Sequence, residues 1–248
     1  MISRPKCGLF WAGGQTAVKG VIVDTDGGVT VLGAGEVTSA VLSQALTIAP
    51  LLVAADGGAA SALRHGHMPL AVVGDLDSLD AATRAALSPE RIHRIPDQDT
   101  TDFDKCLATI RAPIVLAAGF TGARLDHELA AFSTLVAQAA RPVVLLGPED
   151  AVFVAPERLE LQLGRGTRLS LFPMGEVTGE SEGLRWPIDG LDFAPGGRIG
   201  TSNETVCDRV RLRFSARRML VFVPRARLGA VVSALVPELA APASARGG

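Results

Sequence analysis

The sequence contains no tyrosine and only two tryptophans in 248 residues, so aromatics amount to 4% of the chain. No run of Lys or Arg stands out, the formal net charge is −2 and the pI is near 6.1. That removes the electrostatic footprint a nucleic-acid partner requires. Cys7, Cys106 and Cys207 are the only cysteines, far apart and without CxxC spacing. This argues against a disulfide framework and a zinc site, and for a reducing cytoplasm. No stretch approaches the ~20 apolar residues of a membrane span, and the segment from Met1 to Gly14 lacks the apolar core of a signal peptide. The expectation is a soluble, cytoplasmic protein without a nucleic-acid or membrane partner. Internal repeats, a Walker A pattern, a nucleophile elbow and a GxGxxG with its distal acid are also absent, and Gly33-Ala34-Gly35-Glu36 reads only as a short glycine turn.

What remains is a globular balance of 48% hydrophobic and 20% charged residues, with 27 Gly and 15 Pro for turns. Between residues 29 and 147, short apolar runs at 29–32, 51–54, 71–73, 92–95, 114–117 and 143–146 read as strands. Amphipathic stretches at 36–48, 59–65, 81–87, 102–110 and 125–140 read as helices. Strands alternating with helices predict a parallel sheet covered on both faces. After Gly147 the runs shorten and Gly, Pro or Asp turns separate them, with one helical stretch at 228–235, which predicts an antiparallel sandwich or barrel-like unit. The expected organisation is therefore an N-terminal α/β domain over 29–147 and a C-terminal antiparallel domain over 148–239. Residues 1–28 form an extension or an early part of the first domain, and 240–248 a small-residue tail. The runs 20–23 and 29–32 flank Asp24-Thr25-Asp26-Gly27-Gly28 and are read as a possible hairpin.

Chemistry concentrates in the first half. Asp56-Gly57-Gly58 ends one strand and opens a helix, which suits either an anion at the helix start or a plain turn. Asp75 and Asp77 flank Leu76, and extended backbone would place both carboxylates on one face, where a cation relieves their repulsion. Asp97-Gln98-Asp99-Thr100-Thr101-Asp102 runs into a helix on which Asp102 and Lys105, three apart, share a face suited to metal and phosphate. Arg124, Asp126 and His127 follow a glycine turn at the sheet's C-terminal edge, where open α/β folds bind ligands. In the second half, Trp186 and Thr201-Ser202-Asn203 suit a flat heteroaromatic ligand, or else a core aromatic and a polar turn.

Read in order, these elements are Ala55-Asp56-Gly57-Gly58-Ala59, Gly74-Asp75-Leu76-Asp77-Ser78, Asp97-Gln98-x-x-Thr101-Asp102-x-x-Lys105, Thr121-Gly122-x-Arg124-Leu125-Asp126-His127, Gly183-Leu184-Arg185-Trp186 and Ser202-Asn203. The set resembles the thiamine pyrophosphokinase family. The resemblance implies a Rossmann-like parallel α/β domain followed by an antiparallel β-sandwich, and a homodimer with active sites between subunits. The implied activity is Mg²⁺-dependent transfer of the pyrophosphoryl group of ATP to the hydroxyl of thiamine, giving thiamine diphosphate and AMP. Carried over by position, Asp56, Asp75, Asp77 and Asp102 form the acidic catalytic set, with Asp75, Asp77 and Asp102 as metal ligands. Gln98, Thr101, Lys105, Arg124 and Asp126 serve the nucleotide, and Trp186, Ser202 and Asn203 serve thiamine. Ala123 and Gly200 stand where the family commonly has Gly and Ser. A diphosphokinase acting on a hydroxymethylpterin and a non-catalytic binding module are the competing readings.

Overall fold

The computed structural model describes residues 20–122 and 124–240. The early Trp11-Ala12-Gly13-Gly14 segment, Cys7, Ala123 and the tail beyond Ala240 lie outside them.

The first part runs β1 (Val23–Asp24), β2 (Val29–Leu32), α1 (Ser39–Ile48), β3 (Leu51–Ala55), α2 (Gly58–Arg64), β4 (Ala71–Gly74), α3 (Ala81–Ala86), β5 (Ile92–Arg94), α4 (Asp102–Thr109), β6 (Ile110–Arg111), β7 (Val115–Ala118), α5 (Leu125–Ala137) and β8 (Val143–Leu146). The second part runs β9 (Asp150–Val154), β10 (Arg158–Gln162), β11 (Arg168–Pro173), β12 (Val177–Glu182), β13 (Leu191–Phe193), β14 (Gly200–Glu204), β15 (Arg209–Phe214), β16 (Met219–Pro224), α6 (Leu228–Leu235) and α7 (Pro237–Ala240).

Ten strands make one sheet in the order β14-β11-β16-β9-β8-β7-β2-β3-β4-β5. From β8 to β5 every pair is parallel. From β8 to β14 every pair is antiparallel. The turn after β8, where Gly147 N donates to Asp150 O at 2.8 Å, places β9 against the open edge of β8. The change of strand direction therefore falls inside a single continuous sheet. β10, β15, β12 and β13 form a separate four-stranded antiparallel sheet.

Strand alternation assigns the two faces of the parallel half. Val29 and Val31 of β2 join the cluster that includes Phe103 and Leu107 of α4 and Leu135 of α5, whereas Leu32 joins the cluster that includes Val41, Leu42 and Ala45 of α1. The first cluster takes Val53, Val73, Val115 and Leu145 from neighbouring strands. The second extends into the antiparallel half, where Leu169 and Val221 of the large sheet meet Leu161, Leu212 and Phe193 of the small one. Within β2, Thr30 is fully buried because its hydroxyl donates to Ala49 O at 2.6 Å.

The hairpin read between residues 20 and 32 does not form. β2 has β3 on one side and β7 on the other, so β1 finds its partner in β6, in parallel, with Val23 opposite Ile110. Among the described residues, no helix is long and apolar enough to cross a membrane.

The packing of α2 onto β2 predicts opposite outcomes for one chemical change at two helical glycines. A Cβ on Gly58 would lie 2.0 Å from Leu32 O, while one on Gly229 in α6 would meet nothing within 4 Å. Gly58→Ala is expected to cost at least about 2 kcal/mol through overpacking, and Gly229→Ala to be neutral or to stabilise by roughly 0.5–1 kcal/mol. Urea denaturation of both variants checks this, and equal shifts would contradict the packing described.

Candidate active site

In the parallel half, β3, β4 and β5 lie to one side of β2, while β7 and β8 lie to the other. A crevice opens between the C-terminal ends of β2 and β7, at the switch point where open α/β sheets bind ligands. The loops there touch backbone to backbone. Gly33 N donates to Ala118 O and Gly35 N to Gly119 O, both at 2.8 Å, and a Cβ on Gly33 would lie 2.4 Å from Gly119 O. The glycine turn at 33–36, which carries no signal as a motif, thus keeps the mouth of the crevice open. Its pattern of small residues directly after a strand was the available clue. The cavity there measures about 440 Å³, and its lining includes Asp56, Asp75, Asp102, Lys105, Arg124 and His127.

The acidic residues converge from three segments. Asp56 follows β3 with φ +42°, which turns its carboxylate under the sheet edge, and it is 2% exposed. Asp75 follows β4, and Asp102 opens α4. One carboxylate oxygen from each of Asp56, Asp75 and Asp102 lies within 4.8 Å of the others. Gly74 makes this approach possible, since a Cβ there would lie 2.8 Å from Asp56 Cβ and 3.0 Å from Asp102 Oδ1. Lys105 Nζ, 2% exposed, sits 2.9 Å from Asp102 Oδ1 and 3.5 Å from Asp75 Oδ2.

Asp77 is not among the three. Leu76 has φ +68°, so the backbone from Asp75 to Asp77 is not extended and the shared face does not exist. Asp77 is exposed, with Oδ1 accepting from Ser78 Oγ at 3.1 Å. Asp56 occupies the third position in the cluster.

Electrostatics follow from this crowding. Burial, followed by the charges of Asp102 and Asp77, pushes Asp56 up to about 6, against the lowering effect of the Ser78 N–H on Oδ2 at 3.1 Å. Asp56 Oδ1 is buried with no hydrogen-bond partner. Partial burial also raises Asp75, but the Asp77 N–H at 3.2 Å, Lys105 and Gln98 Nε2 at 3.1 Å together hold it below the usual carboxylate range. Burial alone would lower Lys105, and its paired carboxylates outweigh that, so the ammonium stays charged. Three carboxylates against one ammonium, with an orphaned oxygen between them, form an all-oxygen set that fits a hard divalent cation such as Mg²⁺.

The other expected residues divide into groups. Thr101 is the N-cap of α4 in a capping box with Asp104, and it also lines the cavity. Arg124 lines the cavity but is paired with Asp126 at 2.6 Å, both about two-thirds exposed. Trp186, Ser202 and Asn203 do not line it. Trp186 is 54% exposed, with the Arg185 guanidinium 5.0 Å from its ring centroid, and so is not a core aromatic. Asn203 is buried and bonded at both ends of its amide: Oδ1 accepts from the N–H groups of Trp186 and Glu204, and Nδ2 donates to Trp186 O at 2.7 Å. Ser202 has φ +61°, and its N–H donates to Ser170 Oγ at 2.9 Å on the edge strand β14.

The family model described as thiamin pyrophosphokinase, catalytic domain, matches residues 42–145, and that described as thiamin pyrophosphokinase, vitamin B1 binding domain, matches residues 158–219. Thiamine pyrophosphokinase 1 of Arabidopsis thaliana is 30% identical over 189 residues, covering 62% of this chain and 71% of that protein. Thiamine pyrophosphokinase 1 of Oryza sativa subsp. japonica is 31% identical over 169 residues, which is 60% of this chain and 64% of that protein, a little under two thirds of its length. The structure of thiamin pyrophosphokinase from Candida albicans superimposes with a TM-score of 0.70 at 14% identity, over 80% of this chain and 89% of that one, a likeness of fold alone.

Asp56 gives a prediction whose sign can be worked out. Its carboxyl holds a proton more tightly in the folded chain (about 6) than in the unfolded one (3.8), so its stabilising contribution is complete below the lower value and lost as pH rises through about 6. Asp56→Asn, in chelator, should therefore stabilise the fold at about pH 7.5 by up to roughly 3 kcal/mol, and far less at about pH 4. Adding Mg²⁺ should raise the melting temperature of the parent chain and not that of the variant. A variant less stable than its parent at the higher pH would refute the strain assigned to this carboxylate.

Proposed function

Because this chain belongs to the thiamin pyrophosphokinase family, we propose that it transfers the pyrophosphoryl group of ATP to thiamine, giving thiamine diphosphate and AMP. The observation that carries this reading is the convergence of Asp56, Asp75 and Asp102 within 4.8 Å, with Lys105 against them, in a crevice at the sheet's C-terminal edge. The thiamine hydroxyl oxygen bonds to the β-phosphorus and gives up its proton to solvent, and the bond from that phosphorus to the oxygen of the α-phosphate breaks, with its electron pair leaving on AMP.

In this reading Asp56, Asp75 and Asp102 would hold Mg²⁺. When bound, the ion would neutralise charge on the phosphate oxygens and orient them for in-line displacement. Lys105 fixes the carboxylate geometry and adds positive charge. Gln98 holds Asp75 through its amide, and Thr101 fixes the start of α4. Arg124 exchanges Asp126 for phosphate when the nucleotide enters, an exchange of small cost because a pair this exposed contributes at most about 1 kcal/mol. Asp77, through Ser78, shapes the approach to Asp56. Most of the rate enhancement then rests on positioning and preorganised charge.

Trp186, Ser202 and Asn203 supply the thiamine end, Trp186 by its exposed ring and Asn203 by holding the Trp186 backbone. We read residues 29–147 as the Rossmann-like nucleotide unit and 148–239 as the sandwich that carries this end. β14 lies five strands from β7 in the large sheet, roughly 24 Å at ~4.8 Å per strand. A thiamine at Trp186 is therefore out of reach of the acidic cluster of its own chain, which supports a homodimer whose sites each join the crevice of one copy to the thiamine end of the other. The unpaired thiols of Cys106 and Cys207 accord with a cytoplasmic setting.

The test is incubation with ATP, Mg²⁺ and thiamine, followed by chromatography, with a hydroxymethylpterin as parallel acceptor. Equal amounts of AMP and thiamine diphosphate, abolished by chelator, are expected, and product from the pterin alone would replace the acceptor. Asp75→Asn should lower kcat by about 100-fold or more with little change in the KM for thiamine, as expected for a group acting on the transition state. Trp186→Ala should chiefly raise that KM.

The shared-site arrangement gives a further prediction. Mixing Asp75→Asn and Trp186→Ala chains under subunit exchange at low thiamine should restore activity to about a quarter of the parent level, because half of the dimers would then carry one intact site. No recovery despite proven exchange would place both ends of the site in one chain.

A further inference from the structure

Beside its carboxylates, the crevice has an apolar wall formed by Ala34, Phe103, Phe120, Ala130 and Ala131. In a chain with so few aromatics, two here are stacked: the rings of Phe103 and Phe120 lie 4.3 Å apart at 30°. Phe103, from α4, is 3% exposed and belongs to the core beneath the sheet. Phe120, in the loop after β7, is half-buried. Its ring rests on the backbone of Gly33, where a Cβ would lie 2.9 Å from Phe120 Cε1. Phe103 thus backs Phe120 from the core side, and Gly33 leaves room for it at the mouth.

We propose that Phe120, backed by Phe103, is the stacking platform for the base of the nucleotide co-substrate. The inference rests on the reaction proposed above. A partly buried ring that lines a charged cavity gains when a flat π-system covers its remaining exposed area. Two flat groups take part in the reaction: thiamine is carried by the end on β14, and it is the nucleotide whose phosphates go to the acids and Lys105 that share Phe120's cavity. The ring covalently joined to those phosphates is the base. Gly33, Ala34, Gly35, Gly119 and Ala131 of the same lining carry no side-chain donor or acceptor, whereas Thr121, Arg124 and His127 do. Stacking on an aromatic ring tolerates any base, so the ring itself does not choose between adenine and guanine nucleotides.

The experiment is calorimetric binding to the full chain with Mg²⁺, using ATP and inorganic tripolyphosphate, which carries the phosphates without a base. Phe120→Ala should weaken ATP about 10- to 100-fold and leave tripolyphosphate within about twofold of the parent, while Phe120→Trp should restore ATP. Unchanged ATP affinity in Phe120→Ala would overturn the assignment, as would parallel loss of ATP and tripolyphosphate, or a rise confined to the KM for thiamine. Because the readout is binding, an absence of thiamine diphosphate in the turnover assay would overturn the proposed reaction while leaving this assignment to be decided independently.

Discussion

Like-charge repulsion among Asp56, Asp75 and Asp102 is the constraint around which the crevice is built. Two carboxylate charges within 4.8 Å of each other repel by roughly 3 kcal/mol or more at the effective dielectric of a protein surface, and here three of them meet. Lys105 offsets one charge. The N–H groups of Ser78 and Asp77 and the amide of Gln98 spread part of the remainder. What they leave is close to two negative charges around an oxygen with no donor, Asp56 Oδ1. A divalent cation would complete that balance, whereas a monovalent ion or a further lysine would leave it short or misshapen.

Holding charges together against their repulsion requires backbone that cannot relax, and the local conformations supply it. Asp56 and Leu76 both have positive φ, which is uncommon outside glycine. Each residue is held by its neighbours: Asp56 N donates to Val73 O, and Leu76 is buried against Leu79 and Val72. On the third side, the capping box of Thr101 and Asp104 fixes where α4 begins. Asp102 and Lys105 are thereby set one turn apart, with the positive end of the helix beside Asp102. The strain is offset by the apolar clusters on both sheet faces, which make the strand ends rigid.

How much of this the sequence disclosed follows from the range of the interactions involved. Strands such as β2 were legible as short apolar runs buried on both faces, and helices such as α6 by the period that burial of one face imposes. The acidic cluster was legible as composition and the antiparallel half as turn density. The substitution of Asp56 for Asp77 in the cluster was not, because it depends on a positive φ at Leu76, a residue type that does not announce one. The β1–β6 pairing escaped because it joins segments far apart in sequence and leaves no trace in either. β14 escaped for another reason: Gly200-Thr201-Ser202-Asn203 has the chemistry of a turn, and only the free edge of β11 makes it a strand. The surplus of arginine over lysine is a further signal in the sequence. Of 24 basic residues only Lys6, Lys19 and Lys105 are lysines, and the one within the described residues is the buried one, where a compact ammonium fits and a planar guanidinium does not.

The continuous sheet also decides which parts of the site can move. The junction between its parallel and antiparallel halves is clasped: Arg225 N donates to Glu149 O, its side chain bonds Pro148 O and Gln44, and Gln44 Nε2 returns a bond to Arg225 O. With β8 and β9 paired across the same point, a hinge there would break ladder and clasp together. Adjustment to substrate is left to the loops at the rim, whose side chains are held by little. Gln98 has one bond, to Asp75. Arg124 has Asp126 as its partner in solvent, a pairing weak enough that a phosphate can compete for it. Rigid carboxylates below and loosely held cation and amide above form a division of labour in which the sheet sets the geometry of the acidic cluster and the loops are free to adjust.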